Sequence, residues 1–123
     1  MLYPKFKDLL LSGRGDLINS NVHVILTSSS YKDTDTMIDD IAVDSYYVIL
    51  TDKAVVNGVF SAKNINVRVM NDVVLQGIVL YRADGTLIAY IDNIAGLPMN
   101  NILGEHSTVY IQWNTLEDKI LRI

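Results

Sequence analysis

Two dipeptides, Asn57-Gly58 and Asp84-Gly85, constrain this chain more than any other feature. The first lies between Val55-Val56 and Val59-Phe60, and both of its residues tolerate the positive φ of a two-residue hairpin turn. The second turns the run Val73 to Arg82 back into Leu87 to Ile91. Period-two patterning surrounds both turns. Val22, Val24 and Leu26 share one face of a strand, and Ile65, Val67 and Val69 alternate with Asn64, Asn66 and Arg68. The latter pattern is that of a strand with one wet face. Val73 to Arg82 is apolar on both faces, as in a central strand. Val43 to Val55 is β-rich, with Tyr46, Tyr47, Val48 and Ile49 in series. Val109, Ile111 and Trp113 point one way against Tyr110 and Gln112, and Lys119 to Ile123 can add a last short strand. About seven to eight short strands predict a mainly β fold, an antiparallel β-sandwich or barrel. Val79, Tyr81, Ile111 and Trp113 are its expected core.

A different period opens the chain. Pro4 suits the start of a helix, Phe6, Leu9 and Leu10 fall on one helical face, and Ser12-Gly13 supplies the stop. Two turns are too short to be stable alone. This arm, residues 1–13, must dock on the domain's own sheet or on a neighbouring subunit. Two long loops are expected, Ser28–Asp40 with a helical turn around Met37 and Ile38, and Ile94–His106. No repeat or linker divides the 123 residues, so one domain is expected over 1–123.

Composition excludes several function classes. With no cysteine there are neither disulfides nor thiolate metal sites. The net charge is −4 and Lys and Arg are scattered singly, which disfavours nucleic acid and offers no polybasic patch for a membrane. Lys5, Lys7 and Asp8 interrupt the apolar N-terminus, so no signal peptide is read, and no run reaches the roughly 20 apolar residues of a span. The expectation is a soluble product made in the cytoplasm.

Catalytic and metal motifs are wanting. Asp33, Asp35, Asp39 and Asp40 could in principle hold calcium, but the EF-hand glycine and closing glutamate are missing, so they read as a solvated loop. His23 and His106 show no HExxH spacing, and no GxSxG motif supplies a nucleophile. Gly13-Arg14-Gly15 lacks the rest of a phosphate loop, and Arg14-Gly15-Asp16 suits a turn better than an adhesive role. Tyr46, Tyr47, Tyr81, Tyr90, Tyr110 and Trp113 could form a platform for sugars or bases, yet aromatics in strands read first as packing residues. No catalytic residue, cofactor or metal is assigned, and the chain reads as a non-enzyme.

The order of these features resembles a family of small virion proteins of tailed bacteriophages. The likeness runs through KFKDLLLSGRGDLINSNVHVILTSSSY, NGVFSAKNINVRV, GIVLYRADGTLIAYIDNIAGLP and VYIQWNTLEDKILRI, nearly the whole chain. The resemblance implies a structural protein of the particle, made in the host bacterial cytoplasm: an auxiliary or decoration protein binding the major capsid protein, and itself a possible homo-oligomer. A neck or tail protein and a carbohydrate-binding module of the particle stay open as alternatives, and a small hydrolase would need a pocket around His23 or His106. The sugar reading gains if Tyr46 or Tyr110 is exposed beside Asp or Asn side chains. The expected docking surface is the N-terminal arm and the long loops: Leu2, Tyr3, Phe6, Asp33, Asp35, Leu97 and Met99.

Overall fold

The computed structural model describes residues 2–70, 73–92, 108–113 and 120–122. Helix α1 (Pro4–Leu11) is followed by nine strands: β1 (Val22–Thr27), β2 (Val48–Ile49), β3 (Ala54–Val56), β4 (Val59–Ser61), β5 (Ile65–Arg68), β6 (Gly77–Arg82), β7 (Leu87–Ile91), β8 (Thr108–Ile111) and β9 (Leu121–Arg122). They form a four-stranded sheet β2-β1-β6-β7, a three-stranded sheet β3-β4-β9 and a pair β5-β8, all antiparallel. The chain is therefore mainly β with a short N-terminal helix.

Both turn dipeptides make the hairpins expected of them. Val56 pairs with Val59 across Asn57 (φ 51°) and Gly58 (φ 77°), the two positive values of a type I′ turn. At the second turn the Asp84 carboxylate accepts from the Thr86 amide at 3.0 Å, and Gly85 has φ 95°. Here β7 carries a bulge: Leu80 opposes Ala89 while Tyr81 opposes Leu87. The extra residue sets Ile88 and Ala89 into the same core cluster, in spite of the strict alternation elsewhere. As expected, β6 is central, flanked by β1 and β7.

The four-stranded sheet is buried on both faces. On one, Val22, Val24, Leu26, Ile78, Leu80 and Ile91 pack with Phe60, Ile65, Val67 and Ile111 from the other two sheets and with Trp113 just after β8. On the other, Ile25, Val79, Leu87 and Tyr90 pack with Tyr3 and are flanked by Tyr31, Ile38 and Ile41. Three of the four expected core residues are buried, and Tyr81 is half-buried at the rim of the second cluster.

The β-rich run Val43 to Val55 holds β2 and the start of β3, with Ser45 in an isolated bridge to Val69 and Asp52 at φ 52° between the two strands. That left-handed residue interrupts the extended chain between β2 and β3. Two expectations need correcting. Val73 to Gln76 precede the central strand, which begins at Gly77. Tyr3 and Phe6 do not face outward; both are fully buried in this chain's own core. The arm docks on its own sheet: Leu2 bridges Ala89, and the Tyr3 amide donates to the Ile88 carbonyl at 3.0 Å. The helix then ends in a Schellman motif. The Arg14 amide donates to the Leu9 carbonyl at 2.8 Å and the Gly13 amide to that of Leu10 at 3.2 Å, with Gly13 at φ 79°.

Loop 28–44 covers the second face. A short 3-10 turn, η1 (Ile38–Asp40), falls where a helical turn was expected. The Leu87 amide donates to the Thr36 carbonyl at 3.0 Å, Met37 bridges Thr86, and the Tyr90 hydroxyl donates to the Ser29 carbonyl at 2.8 Å.

Candidate binding surface

The register of β5 and β8 builds a polar aromatic face. Ile65 lies opposite Ile111, and with Val67 both turn into the core. The residues between them turn outward: Asn66 lies opposite Tyr110 and Arg68 opposite Thr108, and all four are exposed. Tyr110 is 56% exposed. Its hydroxyl accepts from the Asn64 side-chain amide at 3.3 Å, while the Asn64 carbonyl oxygen accepts from the Trp113 amide at 2.9 Å. Asn64 is thus tied at both ends and steadies the Tyr110 ring. Beside them, the Tyr46 amide donates to the Arg68 carbonyl at 3.0 Å, and the Arg68 guanidinium lies 5.9 Å from the Tyr46 ring centre. Segments 64–68 and 108–112 contain no Asp, Glu or Lys.

A cavity of about 270 Å³ opens next to this face, lined by Ile25, Val43, Ser45, Tyr46, Tyr47, Met70 and Tyr81. Its one hydroxyl of serine is already committed, since Ser45 Oγ accepts from the Leu26 amide at 2.8 Å and donates to the Tyr46 carbonyl at 3.3 Å. His23 stands at the edge of the same aromatic group. Its ring stacks on Tyr47 at 4.5 Å and meets the edge of Tyr81 at 5.1 Å. Burial pushes its pKa down, which favours the neutral ring. A second cavity of about 260 Å³ is lined by Ser20, Asn21, Arg82, Ala83 and Asp84. Among the described residues no group of three or more His, Asp or Glu could hold a metal ion, and no helix is long and apolar enough to cross a membrane.

The residues expected to form a docking surface do not come together as one. Leu2 is half-buried, Tyr3 and Phe6 are internal, Asp33 is exposed and Asp35 half-buried. Burial, and after it the Asp35 carboxylate, raises the pKa of the Tyr3 hydroxyl. Leu97 and Met99, like His106 and the whole Ile94–His106 loop, lie outside the described residues. Within the acidic stretch, Asp40 accepts from the Thr36 and Met37 amides at 3.0 Å each, which lowers its pKa. Asp16 likewise closes a turn, accepting from the amides of Ile18 and Asn19 at 2.9 and 3.1 Å.

Reading strand aromatics as core was right for Tyr90 and Trp113 and is corrected for Tyr46, Tyr47 and Tyr110, exposed by 48, 57 and 56%. The reason is phase. Tyr110 occupies the outward position between Val109 and Ile111, and Tyr46 and Tyr47 precede β2 in irregular backbone. The condition set for a sugar platform, an exposed Tyr110 beside an Asn side chain, is met at Asn64. The alternation of Asn64, Asn66 and Arg68 carried the signal for this face; the register that adds Tyr110 did not show in it. A scan against protein-family models, a search of the curated proteins and a search of the solved structures each find no match.

Proposed function

We propose that the chain is a non-enzymatic structural protein of a tailed-bacteriophage particle, an auxiliary protein that binds the capsid, with the major capsid protein as its partner. A place in the neck or tail would use the same kind of contact. The three sheets are then the walls of one partly closed β-sandwich or barrel, in which the Ser45–Val69 bridge links the segment before β2 to the end of β5.

One observation supports assembly most directly. Strand β3 is an edge strand that no described residue pairs on the side away from β4, and its Val55 and Val56 are 45 and 63% exposed. Natural sheets blunt such edges with charges, prolines or covers, because an unpaired apolar edge is a template for another chain. Ala54-Val55-Val56 carries no charge and no proline, and no described strand pairs with its outer side. A partner strand laid here gains main-chain hydrogen bonds and covers both valines. Repetition over a particle adds avidity to contacts that are weak singly.

The test replaces Val55 and Val56 together with Lys and measures incorporation into purified particles. The double variant is expected to fold and to be lost from the particles. Incorporation at the parental level by a folded variant would remove β3 as the docking edge. Failure of the parent chain to enter particles at all would remove the virion reading.

A further inference from the structure

We infer that the outward face of β5 and β8 is a binding site for a saccharide carrying a carboxylate or phosphate, stacked on Tyr110 and held by Arg68. The inference uses none of the β3 edge and stands apart from the particle reading.

A pyranose has an apolar C–H face and a rim of hydroxyls. The face needs an aromatic ring, whose negative quadrupole attracts the C–H groups. Tyr110 presents such a ring with more than half its surface open. Asn64 holds its hydroxyl and is itself held by the Trp113 backbone, so little side-chain freedom is lost on binding. The rim needs groups that both donate and accept, as an amide or a hydroxyl does. Asn66 lies directly across from Tyr110, and Thr108 follows on the same outward side.

Charge selects among sugars. Arg68 is the one charged residue in segments 64–68 and 108–112, although the whole chain carries −4. A guanidinium offers a planar fork that matches a carboxylate or phosphate. Arg68 is the diagonal neighbour of Tyr110, roughly 7–8 Å away along the face. That separation suits a single pyranose stacked on the ring with its acidic substituent reaching the fork. One cation is too few for a nucleic-acid backbone, which is neutralised at several phosphates together.

The experiment titrates the intact chain with sialyllactose, which carries a carboxylate, and glucose 6-phosphate. Lactose and glucose are the neutral counterparts. Backbone amide shifts report both affinity and place. At least one acidic sugar is expected to bind with a Kd on the order of 1 mM or tighter, about tenfold tighter than its neutral counterpart. The shifts should centre on residues 64–68 and 108–112. Binding by one acid alone names the source of the charge, and binding by both makes the anion the shared feature. Tyr110→Ala should weaken binding about tenfold or more, and Arg68→Gln should erase the acidic preference while neutral-sugar binding persists. Both side chains are exposed, so melting of the two variants should match the parent. The proposal is overturned if neither acidic sugar shifts these amides, if neutral sugars bind equally well, if the shifts lie elsewhere, or if the two folded variants bind like the parent.

Discussion

Along β7 the outer ladder is occupied, and along β3 it is empty among the described residues. Leu2-Tyr3 pairs with Ile88-Ala89, and Thr36-Met37 pairs with Thr86-Leu87, so two segments from distant parts of the chain lie end to end on one strand. Phe6 and Tyr3 then anchor that cover from within. Strand β3 has a tight turn at one end and two exposed valines, with nothing laid over them among the described residues. The two edges have the same chemistry, since every edge strand presents unpaired amides and carbonyls. What differs is who satisfies them. At β7 the chain completes itself, so the arm belongs to the fold. At β3 no described residue completes the ladder.

The arm is where this contrast can be broken most forcefully. Phe6→Ala removes a fully buried ring that ties α1 to the sheet. It should destabilise by about 3–5 kcal/mol, out of the roughly 5–15 kcal/mol expected in total. Denaturant melts read this directly. A variant as stable as the parent would mean that the arm is an appendage, and β7 would then be as bare an edge as β3.

A smaller effect is expected at Gly77, under the loop that covers the second face. A Cβ built there would lie 2.5 Å from Tyr90 Cζ and 2.7 Å from its hydroxyl oxygen. Tyr90 is nearly buried and its hydroxyl holds Ser29, so the ring has little room to retreat. Gly77→Ala should therefore cost about 1–3 kcal/mol by overpacking. Limited proteolysis within residues 28–44 should speed up in the same variant. Unchanged melting and cleavage would show that the ring yields freely and that the cover does not rest on it.

How much of this was legible follows from the range of each contact. The hairpins at Asn57-Gly58 and Asp84-Gly85, the wet face of β5 and the central place of β6 all rest on residues within a few positions of one another. The cover on β7 does not. Leu2 meets Ala89 and Thr36 meets Leu87, and neither segment carries strand patterning of its own. An apolar arm that fills the core and one that fills a partner read alike, which is why Tyr3 and Phe6 were expected outside. The face around Tyr110 failed for a related reason. Alternation tells that Asn66 and Tyr110 each point outward, but only register sets them opposite one another and brings Tyr46 beside Arg68.

Acid should act on the covered edge. The Asp40 carboxylate holds the Thr36 and Met37 amides, and these bonds lower its pKa from the ordinary 3.8. A depressed folded-state pKa contributes stability that is present above the unfolded value and lost as pH falls through the folded one. Protection of the Leu87 amide, which donates to the Thr36 carbonyl, should then drop below about pH 4. In Asp40→Ala it should already be low at neutral pH and change little with acid. Equal protection in both proteins would detach Asp40 from the cover.

The least effect on the isolated chain is expected at the bare edge. Val56 is 63% exposed, and its strand neighbour across the turn is Val59. Val56→Lys keeps the aliphatic stem over the sheet and places the ammonium in water. The melting free energy should stay within about 0.5 kcal/mol of the parent, as for surface changes away from special features. Any partner strand laid on this edge would have to desolvate or displace that charge, so association should weaken although the fold does not. The pairing of outcomes is what matters. A loss of several kcal/mol in the isolated chain would show that Val56 is packed, and the contrast between the two edges would fail. Unchanged stability together with weakened association is the behaviour of a strand whose partner comes from outside.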